Sequence, residues 1–227
     1  IIDGTTQLTT TVPVGAGPND VAVNPVTDKI YVANSDSDNV TVIDGATSIT
    51  TIVPAGTLPY KLAVNPVTNK IYVVNIHSNN VTVIDGATEL VKTTVAVGEN
   101  PVALAVNPIT NKIYVANLAD DSITVIDGET DTPTTIGGVS TPQDIAVNQV
   151  TNKIYVANYV TGEVTIIDGI SHAMSTVSAG SGTGSLAVNP ITNKVYAANQ
   201  DSDDVTVITE QDVQPASPNS SINGLPE

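Results

Sequence analysis

The side chains able to do chemistry are few, and their types limit what the chain could catalyse. It has no cysteine, two histidines, and 23 carboxylates against 7 lysines, with no arginine among its cations. Thiol nucleophiles, thiolate metal ligands and disulfide staples are thereby excluded. Asp20 and Asp144 each open an alternating run, Asp-Val-Ala-Val-Asn and Asp-Ile-Ala-Val-Asn. Two carboxylates brought together in this way are the machinery of glycoside hydrolysis. A sugar site also needs aromatic platforms, and Tyr60 and Tyr159 are the residues placed to supply them. The histidines, His77 and His172, fall in unrelated loops, so no Ser-His-acid grouping can be read from spacing. A third cluster type is Asp36-Ser37-Asp38-Asn39, Asp120-Asp121 and Asp201-Ser202-Asp203-Asp204. These resemble fragments of calcium loops but lack the twelve-residue frame, central glycine and closing glutamate of an EF-hand. Asp, Ser and Asn are also ordinary hairpin residues. The sequence therefore predicts no resident metal, with surface Ca2+ on these aspartates as the alternative.

What must position these residues is a repeat. The segment Ala63–Asn75, AVNPVTNKIYVVN, recurs with few changes. Its first Asn falls at Asn24, Asn65, Asn107, Asn148 and Asn189, in steps of 41, 42, 41 and 41 residues. Lys29, Lys70, Lys112, Lys153 and Lys194 keep the same beat. So do Tyr31, Tyr72, Tyr114, Tyr155 and Tyr196, and a closing Asn at Asn34, Asn75, Asn117, Asn158 and Asn199. A second block follows each copy: VTVIDG from Val40 and Val81, ITVIDG from Ile123, VTIIDG from Val164 and VTVITE from Val205. The runs alternate or are β-branched and are punctuated by Asn-Pro, Asn and Asp-Gly, which is a strand signal with turns between. In the first copy the expected strands are Asp20–Asn24, Lys29–Asn34, Asn39–Asp44 and Ser48–Pro54 (A to D). The A strands of the five copies then begin near Asp20, Lys61, Ala103, Asp144 and Ser185. Four antiparallel strands per unit of about 40–45 residues is the β-propeller pattern.

KIYVAN followed by NVTVIDG resembles the YVTN-type β-propeller repeat of surface-layer and surface-antigen proteins. The likeness spans roughly residues 5–209. It implies an all-β fold: a five-bladed β-propeller of four-stranded antiparallel blades. Thr5–Val14 aligns with a D strand, and Leu186–Thr209 supplies A, B and C without a D. The expectation is that Thr5–Val14 pairs with Val205–Thr209 and closes the ring, because closure removes exposed edges. Ile1–Gly4 repeats the register of Val207–Glu210, so strand donation to a second copy is the alternative. The propeller is expected over 1–209, with 210–227 a tail or linker rich in Pro and Ser. The start at Ile1, without Met or a signal peptide, suggests a processed form or a piece of a longer chain.

A net charge of −16 repels phosphate and argues against nucleic acid as a partner. No apolar run reaches membrane-spanning length. The order of strands puts the A–B and C–D turns, with their constant NPxTNK and DGxT, on one face. The B–C and D–A loops lie on the other face and differ from copy to copy. Binding belongs to variable loops held by a rigid frame, so the candidate ligand face comprises Asp20, Tyr60, Lys61, His77, Gln143 and Asp144. Its acidity suits a basic protein or a cell-surface polymer. The resemblance and the absence of a catalytic set point to a non-enzymatic extracellular or cell-surface module. Self-assembly into an array or filament, and a hydrolase or lyase at the channel using Asp20, Asp144 or His77, are the alternatives.

Overall fold

The computed structural model describes residues 1, 2 and 4–210. Of the tail expected over 210–227, residues 211–227 lie outside the described residues. Among these residues there is no helix, and hence none long and apolar enough to cross a membrane. Nineteen strands form five antiparallel sheets, one per repeat. Unit 1 holds β1 (Pro18–Asn24), β2 (Lys29–Asn34), β3 (Asn39–Asp44) and β4 (Thr50–Pro54). Unit 2 holds β5 (Pro59–Asn65), β6 (Lys70–Asn75), β7 (Asn80–Asp85) and β8 (Val91–Ala96). Unit 3 holds β9 (Pro101–Asn107), β10 (Lys112–Asn117), β11 (Ser122–Asp127) and β12 (Pro133–Gly137). Unit 4 holds β13 (Pro142–Asn148), β14 (Lys153–Asn158), β15 (Glu163–Asp168) and β16 (Met174–Ser178). Unit 5 has three among the described residues: β17 (Thr183–Asn189), β18 (Lys194–Asn199) and β19 (Asp204–Thr209).

Each sheet is a meander whose register repeats. Tyr31 faces Val42, Tyr72 faces Val83, Tyr114 faces Val125 and Tyr155 faces Ile166. The A–B turn places its fourth linking residue in the left-handed region, at Asp28, Asn69, Asn111, Asn152 and Asn193. These are residue types that tolerate it. The Asp-Gly signal works differently from a two-residue hairpin, which would need positive φ at its glycine. Gly45, Gly86, Gly128 and Gly169 are absent from the positive-φ residues; the left-handed residue comes three later, at Ser48, Glu89, Asp131 and His172. The glycine is required instead by crowding. A Cβ on Gly128 would sit 2.7 Å from the Asn111 carbonyl oxygen.

The sheets stack face to face. Calling the face toward the next unit trailing and the other leading, one rule builds every seam. Tyr31, Val40 and Val42 of unit 1 pack on Leu62, Ile71 and Ile84 of unit 2. The equivalent sets meet between units 2 and 3, 3 and 4, and 4 and 5. With no Phe or Trp, the seams are filled by β-branched residues and the repeated Tyr. Tyr31, Tyr72, Tyr114 and Tyr155 are fully buried. Polar ladders run alongside. Within each unit the closing Asn donates to a Thr across the sheet, as Asn75 Nδ2 does to Thr82 Oγ1 at 2.9 Å. Between units, Asn24, Asn65 and Asn107 donate to Asn69, Asn111 and Asn152, each at 2.7 Å.

The inner strands touch in series, β1 to β5 to β9 to β13 to β17, and no comparable contact joins β17 to β1. The expected pairing of Thr5–Val14 with Val205–Thr209 is not made, and unit 5 remains three-stranded. Residues 1–10 have a local alternative: Ile2 bridges Thr9, and Ile1 and Thr10 exchange backbone hydrogen bonds at 2.8 and 3.0 Å. This is the register of Ile43 with Thr50, 41 residues on. Ile1 and Ile2 thus act as the end of a C strand for Thr9 and Thr10.

Candidate functional site

The first residues of every A strand carry the same irregularity. Register slips by one between Pro18 and Asp20, Pro59 and Lys61, Pro142 and Asp144, and Thr183 and Ser185, and opposite Ala116–Asn117 in unit 3. The bulged residues are Asn19, Tyr60, Val102, Gln143 and Gly184. A bulge bends the strand and re-aims a side chain, and here it does so at the inner end of five sheets in a row. The bulged residues and their successors in units 2–5 line one cavity of about 170 Å3: Tyr60, Lys61, Val102, Ala103, Gln143, Asp144, Gly184 and Ser185. Four of the six residues of the sequence-derived ligand face therefore share this cavity. Asp20 stands beside it, 3.9 Å from Lys61 Nζ. His77 does not join them; it is exposed in the B–C loop of unit 2.

The two inner carboxylates are braced. The Leu62 amide of the next unit donates to Asp20 Oδ2 at 2.9 Å. Asp144 Oδ2 accepts from the Leu186 amide at 2.8 Å and from Ser185 Oγ at 3.3 Å, while Oδ1 accepts from the Ile145 amide at 2.9 Å. Burial raises the Asp144 carboxyl above the ordinary aspartate value, against the lowering effect of those donors and of Lys61. The cavity thus offers one ammonium, a phenol, an amide and a carboxyl whose pKa burial raises.

The outlying loop acids serve as caps. Asp38 accepts from the Leu58 amide at 2.9 Å, Asp121 from Thr141 at 2.6 Å and Asp120 from Glu99 at 2.7 Å. Asp36 accepts from Ser35, Asp201 from Tyr159 Oη, and Asp204 from Asn199. Among the described residues no three His, Asp or Glu converge on one point. The caps by Asp38 and Asp121 join loops 20 residues apart in sequence, on to the start of the next unit, a distance at which no local pattern announces them.

The constant face holds a second polar system. Lys29 and Lys112 reach their cross-strand partners Asp44 and Asp127 at 2.9 and 2.7 Å. Lys29 also reaches Glu89 of the next unit at 3.0 Å. Lys70 bypasses Asp85 and crosses to unit 3, donating to Asp131 at 2.8 Å and to the carbonyls of Gly128 and Glu129. Tyr72 Oη and Lys92 complete that knot, at 3.1 and 2.5 Å from Asp131. Burial pushes Asp131 up, but Lys70 and Lys92 outweigh it and hold the carboxyl below its usual range. Lys153 crosses similarly to Glu210, which also accepts from Asn148, Thr151 and Tyr155. Glu210, counted with the tail on composition, is anchored to unit 4. At the equivalent seam position of unit 4, His172 packs edge-on against Tyr114 at 6.2 Å. The buried hydroxyl of Tyr31 lies beside Asn24 and Thr27, and that of Tyr114 beside Thr110.

No protein-family model and no curated protein matches the chain. Solved structures share its architecture. The chain is similar to Kuenenia stuttgartiensis hydrazine synthase with a TM-score of 0.70 at 20% identity, over 93% of this chain and 70% of that one. At that identity the likeness concerns the fold alone, and it agrees with a repeated, propeller-like arrangement of sheets.

Proposed function

We propose that the five units are blades of a YVTN-type β-propeller. Its role is that of a non-enzymatic interaction module at the cell surface or in the extracellular space. Its ligand surface is the variable loop face, centred on the bulge-lined cavity. The observation that carries this is the division of labour between faces. On the constant face the repeated Asn, Lys and Asp are largely consumed in bonds within and between units. On the variable face the frame repeats while the bulged residue changes from Asn to Tyr, Val, Gln and Gly. A scaffold that fixes a bulge at one place and changes what it presents is suited to recognition. The exposed acids Asp36 and Glu99 rim this face, which favours a basic protein or a cationic surface polymer.

A hydrolase or lyase working through Asp20 and Asp144 is the competing reading, favoured by the raised Asp144 carboxyl inside a cavity. Against it, both Asp144 oxygens and one Asp20 oxygen are committed to backbone amides. To test the binding reading, a lysine decapeptide is titrated calorimetrically into three proteins: the parent, an Asp36→Asn/Glu99→Gln/Tyr60→Ala variant, and an Asp85→Asn variant of the constant face. Loss of heat in the first variant and retention in the second is expected. Equal effects from both faces would overturn the assignment.

A further inference from the structure

The two ends of the stack are halves of a seam that the chain leaves unmade. The trailing face of unit 5 exposes Val205 by 57% and Val207 by 49%, although their counterparts Val40, Val81, Val83 and Val164 are at 0%. The leading face of unit 1 exposes Val21 by 61%, whereas its counterparts Leu62 and Ile145 are at 6%. A cavity of about 440 Å3, lined in part by Ser185, Ala198 and Val205, opens on the unit 5 face. β19 is at the same time an edge strand without a fourth partner among the described residues.

We infer that the occupant of the unit 5 end is a second copy of this chain, which donates its residues 9–13 as the missing strand. The segment Thr9-Thr-Thr-Val-Pro-Val-Gly15 repeats Thr50-Thr-Ile-Val-Pro-Ala-Gly56 of unit 1. In unit 1 that segment is β4, with Val53 against Val40 and Pro54 against Asn39. Moving β3 onto β19 by the repeat puts Val12 of the incoming copy against Val205 and Pro13 against Asp204. Among the described residues the strand partner of Thr9 and Thr10 is the stub Ile1–Ile2, and both stub residues are mostly exposed. Val207 and Ile208 stand in the same register as that stub, on a strand of six residues. Exchange of partner therefore lengthens the ladder. It also carries Val21 and Val23 of the donor onto Val205 and Val207, because the donated strand leads directly into unit 1.

Two polar contacts of the inner seams would be reproduced. Leu58 donates its amide to Asp38 between units 1 and 2; Gly17 and Asp203 are their equivalents at the new seam, and both already hold positive φ. Asn24 donates to Asn69 between units 1 and 2; Asn189 and Asp28 stand in those places. The contact is heterologous, one copy's start on another's end, so assembly continues beyond a dimer unless the rotation closes. Each copy carries −16, so association strengthens as salt screens the repulsion.

The absence of native cysteine makes the register directly testable. Val12→Cys chains are mixed with Val205→Cys chains in the presence of a mild oxidant, and products are sized without reductant. The expected product is a mixed disulfide dimer of two 23.3 kDa chains, at least tenfold more abundant than with a Val12→Cys and Thr206→Cys pair, whose side chains leave opposite faces. Sedimentation of the unmodified chain should show mass rising with concentration and with salt. The Val12→Cys/Val205→Cys double variant adds the last arm. An internal disulfide in a monomer would show that the strand closes on its own unit 5 and would overturn the inference. A concentration-independent monomer, or equal cross-linking at 205 and 206, would overturn it as well.

Discussion

Asp131 is the point at which the stack is most exposed to a single substitution. It lies in unit 3 with its side chain 6% accessible and takes Lys70 of unit 2, itself 9% accessible, together with Lys92 and Tyr72 Oη. Asp131→Asn keeps the shape and removes the charge. Breaking a buried pair by removing one partner costs about 3–5 kcal/mol, because the remaining charge stays desolvated. Lys70 keeps the Gly128 and Glu129 carbonyls at 2.7 and 3.1 Å, so the lower end, about 3 kcal/mol, is expected. For a chain of this size each kcal/mol moves Tm by about 2–4 °C, giving a fall of about 6–12 °C at pH 7 by calorimetry. The pH dependence has a definite sign. Asp131 titrates lower in the folded chain than in the unfolded one. Its contribution is therefore complete above the unfolded carboxylate value, about 3.9, and is lost as pH falls through the folded value. The gap between parent and variant should narrow on acidification. The cycle with Lys70→Met supplies the decisive control: the second substitution should cost much less in the background of the first. A Tm change below 2 °C, or strictly additive losses, would show that this knot does not hold units 2 and 3 together.

Two further substitutions probe the same frame. Gly128→Ala should cost about 1–3 kcal/mol, since its Cβ would press on the Asn111 carbonyl; Gly137→Ala, with nothing within 4 Å of the added carbon, should leave Tm unchanged. Glu210→Gln should lower stability by about 2 kcal/mol, because a 5% accessible carboxylate facing Lys153 and three further donors loses its charge; denaturant midpoints at constant slope would measure it.

The legible part of this fold is the part that repeats locally. Strand pairing within a unit follows from alternation and turn residues no more than about a dozen positions apart. Four expected strands of unit 1 accordingly appear with ends shifted by two residues or fewer. What escaped the sequence lies between units. Asp20 accepts from the amide of Leu62, 42 residues on, a contact that no local pattern announces. Lys70 stands cross-strand from Asp85 but belongs to Asp131, 61 residues on. The Asp-Gly step looked like a positive-φ turn and is a place where two turns touch. The candidate site was legible in half. Variability picked out Tyr60, Lys61, Gln143 and Asp144, but nothing in one strand's residues announces that it bulges, since a bulge is a mismatch with its partner.

The ends show how much a seam depends on residues that differ between copies. The inner seams share the Tyr and Val faces, and the first three share the Asn ladder, whose place at the fourth is taken by Asn148 donating to Glu210; they differ in the charged knot: Lys29 with Glu89, Lys70 with Asp131, Lys153 with Glu210, and none between Lys112 and His172. A seam between unit 5 of one copy and unit 1 of another would put Lys194 opposite Ser48, which occupies the position of Glu89 and Asp131 and shares their positive φ. The apolar and Asn parts of the seam would be present without the ion pair. Such a contact is weaker than the joints inside the chain by construction, and this would make assembly dependent on concentration. Ser48→Glu adds the absent carboxylate to a left-handed position that Glu89 already shows glutamate can hold. Because that gain requires Lys194 at a fixed place, nonspecific clustering of exposed valines would not reproduce it.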